Sequence, residues 1–116
     1  MKRDMDLIRS ILLNVESDGK LGVPSGYTNE EIADHAQQLV EEGLVEGVIQ
    51  RNREGIPSGA AIIRLTSKGP DFVDATRNPS LWIKTKAYVT KNLPGWTLSV
   101  FKEVAERALK GEIHLL

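Results

Sequence analysis

Residues 27–65 constrain this chain more than any other stretch, because a helical pattern, TNEEIADHAQQLVEEGLV, runs straight into VEGVIQRNREGIPSGAAIIRL, two short apolar segments around a turn-rich loop. Ile32, Ala36, Leu39, Val40 and Gly43 recur at a spacing that places them on one side of a 3.6-residue repeat. Thr28 is the natural N-cap and Glu31, three residues on, completes a capping box. Gly43 is placed to end the helix. The apolar segments predict strands at 45–50 and 60–65. Alternation sends Ile49, Ile63 and Leu65 to a core, and Gln50 and Arg64 to water. The doubled pairs Val48–Ile49 and Ile62–Ile63 predict partial cover on both faces.

The flanks are helical. A first helix is predicted over residues 3–16, with Met5, Ile8, Leu12 and Val15 in a stripe that Leu7 and Ile11 widen, and with Asp4 and Asp6 in its first turn. SDGK ends it, and a short strand is expected at 21–23. After the hairpin, Ser67 is the expected cap of a helix that carries Pro70 at its third position and Phe72 and Val73 on its core side. Ser80 is expected to cap LWIKTKAYVTKN, and Thr97 or Ser99 to start a last helix bearing Phe101, Val104, Ala105, Ala108 and Leu109, which ends at Gly111. One core cluster of Ile8, Leu12, Ile32, Leu39, Ile49, Ile63, Leu65 and Phe72 follows from this register.

The helix-then-hairpin order resembles the second half of a winged helix-turn-helix domain whose wing is 51–59. The opening MKRDMDLIR, the helix ending EEGLV and the segment RLTSKGPDFVDA resemble a family of small bacterial and phage-associated proteins, catalogued as a domain of unknown function and grouped with winged helices. RLTSKGPDF is also similar to an LT-x-x-G-x-x-F element that closes the wing in many bacterial regulators. The resemblance implies an α+β winged helix-turn-helix-like domain with a β-hairpin wing and a two-helix C-terminal extension. Residues 1–76 would form the winged-helix core and 77–116 the extension. It also implies a regulatory role and carries over no catalytic or binding residue; a DNA-associated or transcription-regulatory module is the function expected of the chain.

With 116 residues the chain is expected to form one domain, and the absence of cysteine excludes disulfides, thiol catalysis and cysteine-ligated metals. No leader and no membrane-length apolar run is read from the sequence, so a cytoplasmic protein is expected. His35 reads as a solvent-exposed side chain at the edge of an apolar face, and His114 lies far from it in sequence. No metal site, cofactor or catalytic group is therefore expected. GVPSG and GIPSG lack the spacing and the lysine of a phosphate loop and read as turns.

Charge is unevenly placed along the chain. Residues 21–50 hold Glu30, Glu31, Asp34, Glu41, Glu42 and Glu46 and no Lys or Arg, whereas residues 77–110 hold seven Lys or Arg against Glu103 and Glu106. The outward face of helix 28–43 projects Glu30, Asp34, Gln37, Gln38 and Glu41, which a phosphate-lined groove would repel. Duplex DNA, if bound, is thus expected on Arg51 and Arg53 of the wing and on Lys84, Lys86 and Lys91 of the extension. The alternative partner is a protein docking on the acidic helix through Glu30, Asp34, Gln38 and Glu41. Trp82, Tyr88 and Trp96 read as core residues that dock the last two helices rather than as stacking platforms. The last helix's apolar stripe predicts a homodimer.

Overall fold

The computed structural model describes residues 3–18, 26–68 and 70–115. Its elements run α1 (Met5–Asp18), α2 (Asn29–Glu41), β1 (Val45–Arg51), β2 (Pro57–Leu65), α3 (Pro70–Arg77), α4 (Pro79–Asn92) and α5 (Leu98–Leu109). The architecture is α+β, and the order of helix, helix and antiparallel hairpin is winged-helix-like. The strand expected at 21–23 lies outside the described residues. The chain divides into two compact units, Met1–Gly69 and Pro70–Leu116.

In the first unit, α1 starts later than its periodicity suggests, because Asp4 is its cap rather than part of its first turn. Asp4 Oδ1 accepts from the backbone N–H groups of Asp6 and Leu7 at 3.0 and 3.2 Å. Thr28 caps α2 and forms the capping box with Glu31. At the other end, the N–H of Gly43 bonds to the Val40 carbonyl and that of Leu44 to the Leu39 carbonyl. This closure needs the left-handed φ of 78° that Gly43 adopts without strain.

Thr66 then ties the end of β2 to the end of α2. Its N–H bonds to the Leu44 carbonyl at 2.9 Å, and its hydroxyl donates to the Gly43 carbonyl. That pair of bonds gives the LT of RLTSKG a physical role.

Between the strands the pairing shifts twice. Glu46 pairs with Arg64 but Gly47 pairs with Ile62, so Ile63 is the extra residue of a bulge. A one-residue slip exchanges the faces of a strand, and Ile62 is buried. The side chain of Ile63 lies outside the described residues. Ile49 and Leu65 are half-buried and Gln50 and Arg64 exposed, as alternation predicts. The expected cover on the other face is not met at Val48, which is 60% exposed.

Leu7, Ile8, Ile11, Leu12, Ile32, Ala36, Leu39 and Leu44 are buried. At about 1.5–3 kcal/mol for each large aliphatic side chain removed from water, they are a main stabilising contribution to this unit.

Phe72 belongs to the second unit. In the second unit its ring lies 6.4 Å from those of Trp82 and Phe101, which are 5.1 Å apart, and Trp96 lies 5.7 Å from Phe101. Aromatic surface prefers such tilted and edge contacts, so α3 groups with α4 and α5 in the second unit.

Two helix starts also differ from expectation. Pro70 opens α3, and Asn78 rather than Ser80 caps α4, with Pro79 directly after it. Proline at a first helical position lacks only an N–H that had no partner, and Asn is as good a cap as Ser. Thr97 caps α5. Of the stripe on α5, Phe101, Val104 and Ala105 are buried, so most of the surface that suggested a dimer is already occupied.

Candidate functional site

The N-terminal ends of α1 and α2 are joined by a polar network that helical projection missed. His35, expected at the surface, is 1% exposed. Its Nε2 accepts the backbone N–H of Asp4 at 2.8 Å, and its Nδ1 lies 2.7 Å from the Glu31 carbonyl. An amide N–H can only donate, so Nε2 is the acceptor and the ring proton resides on Nδ1, directed at that carbonyl. Both nitrogens are thereby used, and His35 is a structural tie with no lone pair left for a metal or a substrate.

Tyr27 donates its hydroxyl to Asp4 Oδ2 at 2.9 Å. That bond, then burial, then the charges of Asp4, Asp6 and Glu31 raise the phenol above its ordinary titration range.

The acidic face of α2 is partly engaged within the chain. Arg3 Nε donates to Gln38 Oε1 at 2.8 Å, and Gln38 Nε2 donates to Asp34 Oδ2 at 3.1 Å. Gln37 donates to Glu41 at 2.7 Å. Gln38 and Asp34, both assigned to a protein interface from sequence, thus bind internally, while Glu30 and Glu41 remain exposed. No Lys or Arg lies on α2. Arg3 of the opening MKRDMDLIR is a residue of this face that sequence reasoning did not find. The signal for it was weak, since its partner stands 35 residues away.

The cations assigned to nucleic acid fall into two groups, one in each unit. In the first, the hairpin closes through a tight turn. Asn52 Oδ1 accepts from the N–H groups of Glu54 and Ile56, and Gly55 takes φ of 80° to reverse the chain. Arg51 donates to the Gly55 carbonyl at 2.9 Å and braces this turn; Arg53 stands exposed within it. In the second unit, Lys84 and Lys91 are exposed seven residues apart on one face of α4. Lys86 lies to another side and is half-buried, and Tyr88 is half-buried as well.

Among the described residues, Arg53, Lys84 and Lys91 are held in no ion pair. By contrast Arg64, Arg77, Lys102 and Arg107 pair with Glu46, Asp74, Glu106 and Glu103. No three His, Asp or Glu side chains gather as a metal set among the described residues, and no helix there is long and apolar enough to cross a membrane.

These features define a small α+β protein with a winged-helix-like first unit. The chain belongs to the family described as "Hypothetical protein (DUF2513)", whose model matches residues 2–95. An uncharacterized protein of Haemophilus influenzae is 32% identical over 113 residues, an alignment spanning 91% of this chain and 93% of that relative. No solved structure matches.

Proposed function

We propose that this protein is a non-catalytic, DNA-associated module of a regulatory kind, which grips duplex DNA through phosphate contacts and keeps α2 clear of the groove. The observation that carries this reading is the segregation of charge: the exposed cations free of ion pairs include Arg53, Lys84 and Lys91, all off α2, while α2 presents carboxylates and no cation. Phosphate affinity comes from cationic side chains that release counterions, and a carboxylate face opposes it. Arg51, although it braces the turn through one nitrogen, keeps further donors for a backbone oxygen.

The test is a titration with random duplex DNA at about 50 and about 200 mM salt. Binding should weaken steeply with salt and be tolerant of sequence. Arg51→Ala with Arg53→Ala, or Lys84→Ala with Lys91→Ala, should each lower the salt slope by about one for every phosphate left without its cation. Glu30→Ala and Glu41→Ala should leave binding unchanged or strengthen it. Failure to retain DNA at low salt would end this reading.

A second reading, a protein-interaction adaptor, is favoured by one observation: Glu30 and Glu41 stay exposed on a helix that has no cation of its own. It expects no DNA retention at low salt, and loss of a partner when Glu30, Asp34 and Glu41 are neutralised. If those three neutralisations instead abolished sequence-specific DNA binding in a folded protein, α2 would be a recognition helix and the argument from charge would fall.

A further inference from the structure

The outer face of α4 combines an exposed aliphatic side chain, lysines with no acid on the same helix, and small side chains between those lysines. Ile83 is 66% exposed, the largest exposure among the large hydrophobic side chains described, and Lys84, Ala87, Thr90 and Lys91 follow it on the same side. The helix, PSLWIKTKAYVTKN, contains no acid to neutralise its lysines. Between Lys84 and Lys91 the exposed positions are the small side chains Ala87 and Thr90, so a second helix can approach to the usual distance of about 8–10 Å between axes.

A complementary surface stands in the same chain. The helix α2, NEEIADHAQQLVE, carries no cation, and its Asp34 and Glu41 are seven residues apart, as are Lys84 and Lys91. At about 1.5 Å per residue both pairs span about 10 Å along their helix axes. Glu30 stands one turn before Asp34 on the same side.

We propose that the outer face of α4 is the docking surface for α2 of a second copy of this chain, with Lys84 and Lys91 set against Glu41 and Asp34 and with Ile83 as the apolar contact. The occupant is a second copy because the matching charge and spacing are found on this chain's own α2. This inference goes beyond the duplex reading and competes with it for Lys84 and Lys91; it involves neither Arg51 nor Arg53 and is tested without nucleic acid, so its failure and that of duplex binding are read separately. Exposed ion pairs are individually weak and screened by salt, so the association should be weak and strongly salt-dependent.

Sedimentation equilibrium of the full chain at about 50 and about 500 mM salt reads the effect directly. Self-association is expected at low salt, weakened about tenfold or more at high salt. The variant carrying Lys84→Glu and Lys91→Glu should be monomeric, as should the one carrying Glu30→Lys and Glu41→Lys, which spares Asp34 and its bond to Gln38. Mixing the two should restore association between unlike chains. If either double variant loses its helical circular dichroism, the single changes Lys84→Glu and Glu41→Lys carry the same charge swap. A monomer throughout the low-salt range overturns the proposal and leaves α4 to phosphate or to an acidic protein of another kind. Association that is indifferent to Lys84→Glu and Lys91→Glu, or folded variants that do not associate on mixing, overturns it equally.

Discussion

At the start of α2 the backbone N–H of the cap residue Thr28 is taken by Glu31 of the same helix at 3.0 Å, whereas at the start of α1 the equivalent N–H of Asp4 goes to His35 of α2 at 2.8 Å. Both ends satisfy the same kind of donor, which would cost about 1–3 kcal/mol if buried without a partner. The difference is where the acceptor comes from. A capping box is local and closes a helix in isolation. The His35 bond can form only when α1 and α2 are already docked, so it also registers one helix against the other. Tyr27 and the Arg3–Gln38–Asp34 chain add to the same junction. The first unit therefore joins its two helices through polar groups as well as apolar ones, while the second is organised around Phe72, Trp82 and Phe101.

Four measurements would break or sharpen the contrast between a local and a tertiary cap. The largest effect is expected at Leu39, which is fully buried: Leu39→Ala should cost about 2–5 kcal/mol in urea or thermal unfolding, setting the scale for apolar packing beside the polar junction. His35→Leu keeps an apolar body of similar size but leaves the Asp4 N–H without its acceptor, and should cost about 1–3 kcal/mol. A neutral result would mean that the histidine does not register the helices.

Smaller effects are expected at the caps themselves. Asp4→Ala and Thr28→Ala should each cost about 0.5–2 kcal/mol, and Asp4→Ala should be the costlier because Asp4 also accepts from Tyr27. Amide hydrogen exchange separates them: Thr28→Ala should loosen the first turn of α2 alone, Asp4→Ala the junction.

The smallest effect is electrostatic. The Tyr27 phenol is raised by its bond to Asp4, by burial and by nearby carboxylates, so its folded pKa exceeds its unfolded one. The stability it contributes is then fully present below the ordinary tyrosine range near about pH 10 and is lost as pH rises through the raised value. Carbon NMR of the tyrosine rings should show Tyr27 titrating above free tyrosine. Asp4→Asn, which keeps a cap oxygen but removes the charge, should shrink that displacement. An unshifted Tyr27 would mean that the bond to Asp4 is absent in solution.

What the sequence determined by itself was whatever depends on neighbours within a turn or two. The Thr28 and Glu31 box, the stop at Gly43, the β-hairpin and the opposed charges of α2 and α4 are all local or compositional, and local rules suffice for them. The family was legible for a related reason: MKRDMDLIR is a contiguous string, and its Arg3 and Asp4 both sit at the polar junction.

Tertiary structure decided the rest. Periodicity placed His35 at the rim of an apolar arc, but its burial depends on an Asp4 N–H 31 residues away that cancels the cost of burying a polar ring. Alternation carries no sign of the bulge at Ile63, whose register is set by pairing across the hairpin and beside which Ile62 is buried. Phe72 looked like part of the first core because of where it stands in sequence. Its ring packs with those of Trp82 and Phe101, because large aromatic surfaces find their partners through space rather than along the chain.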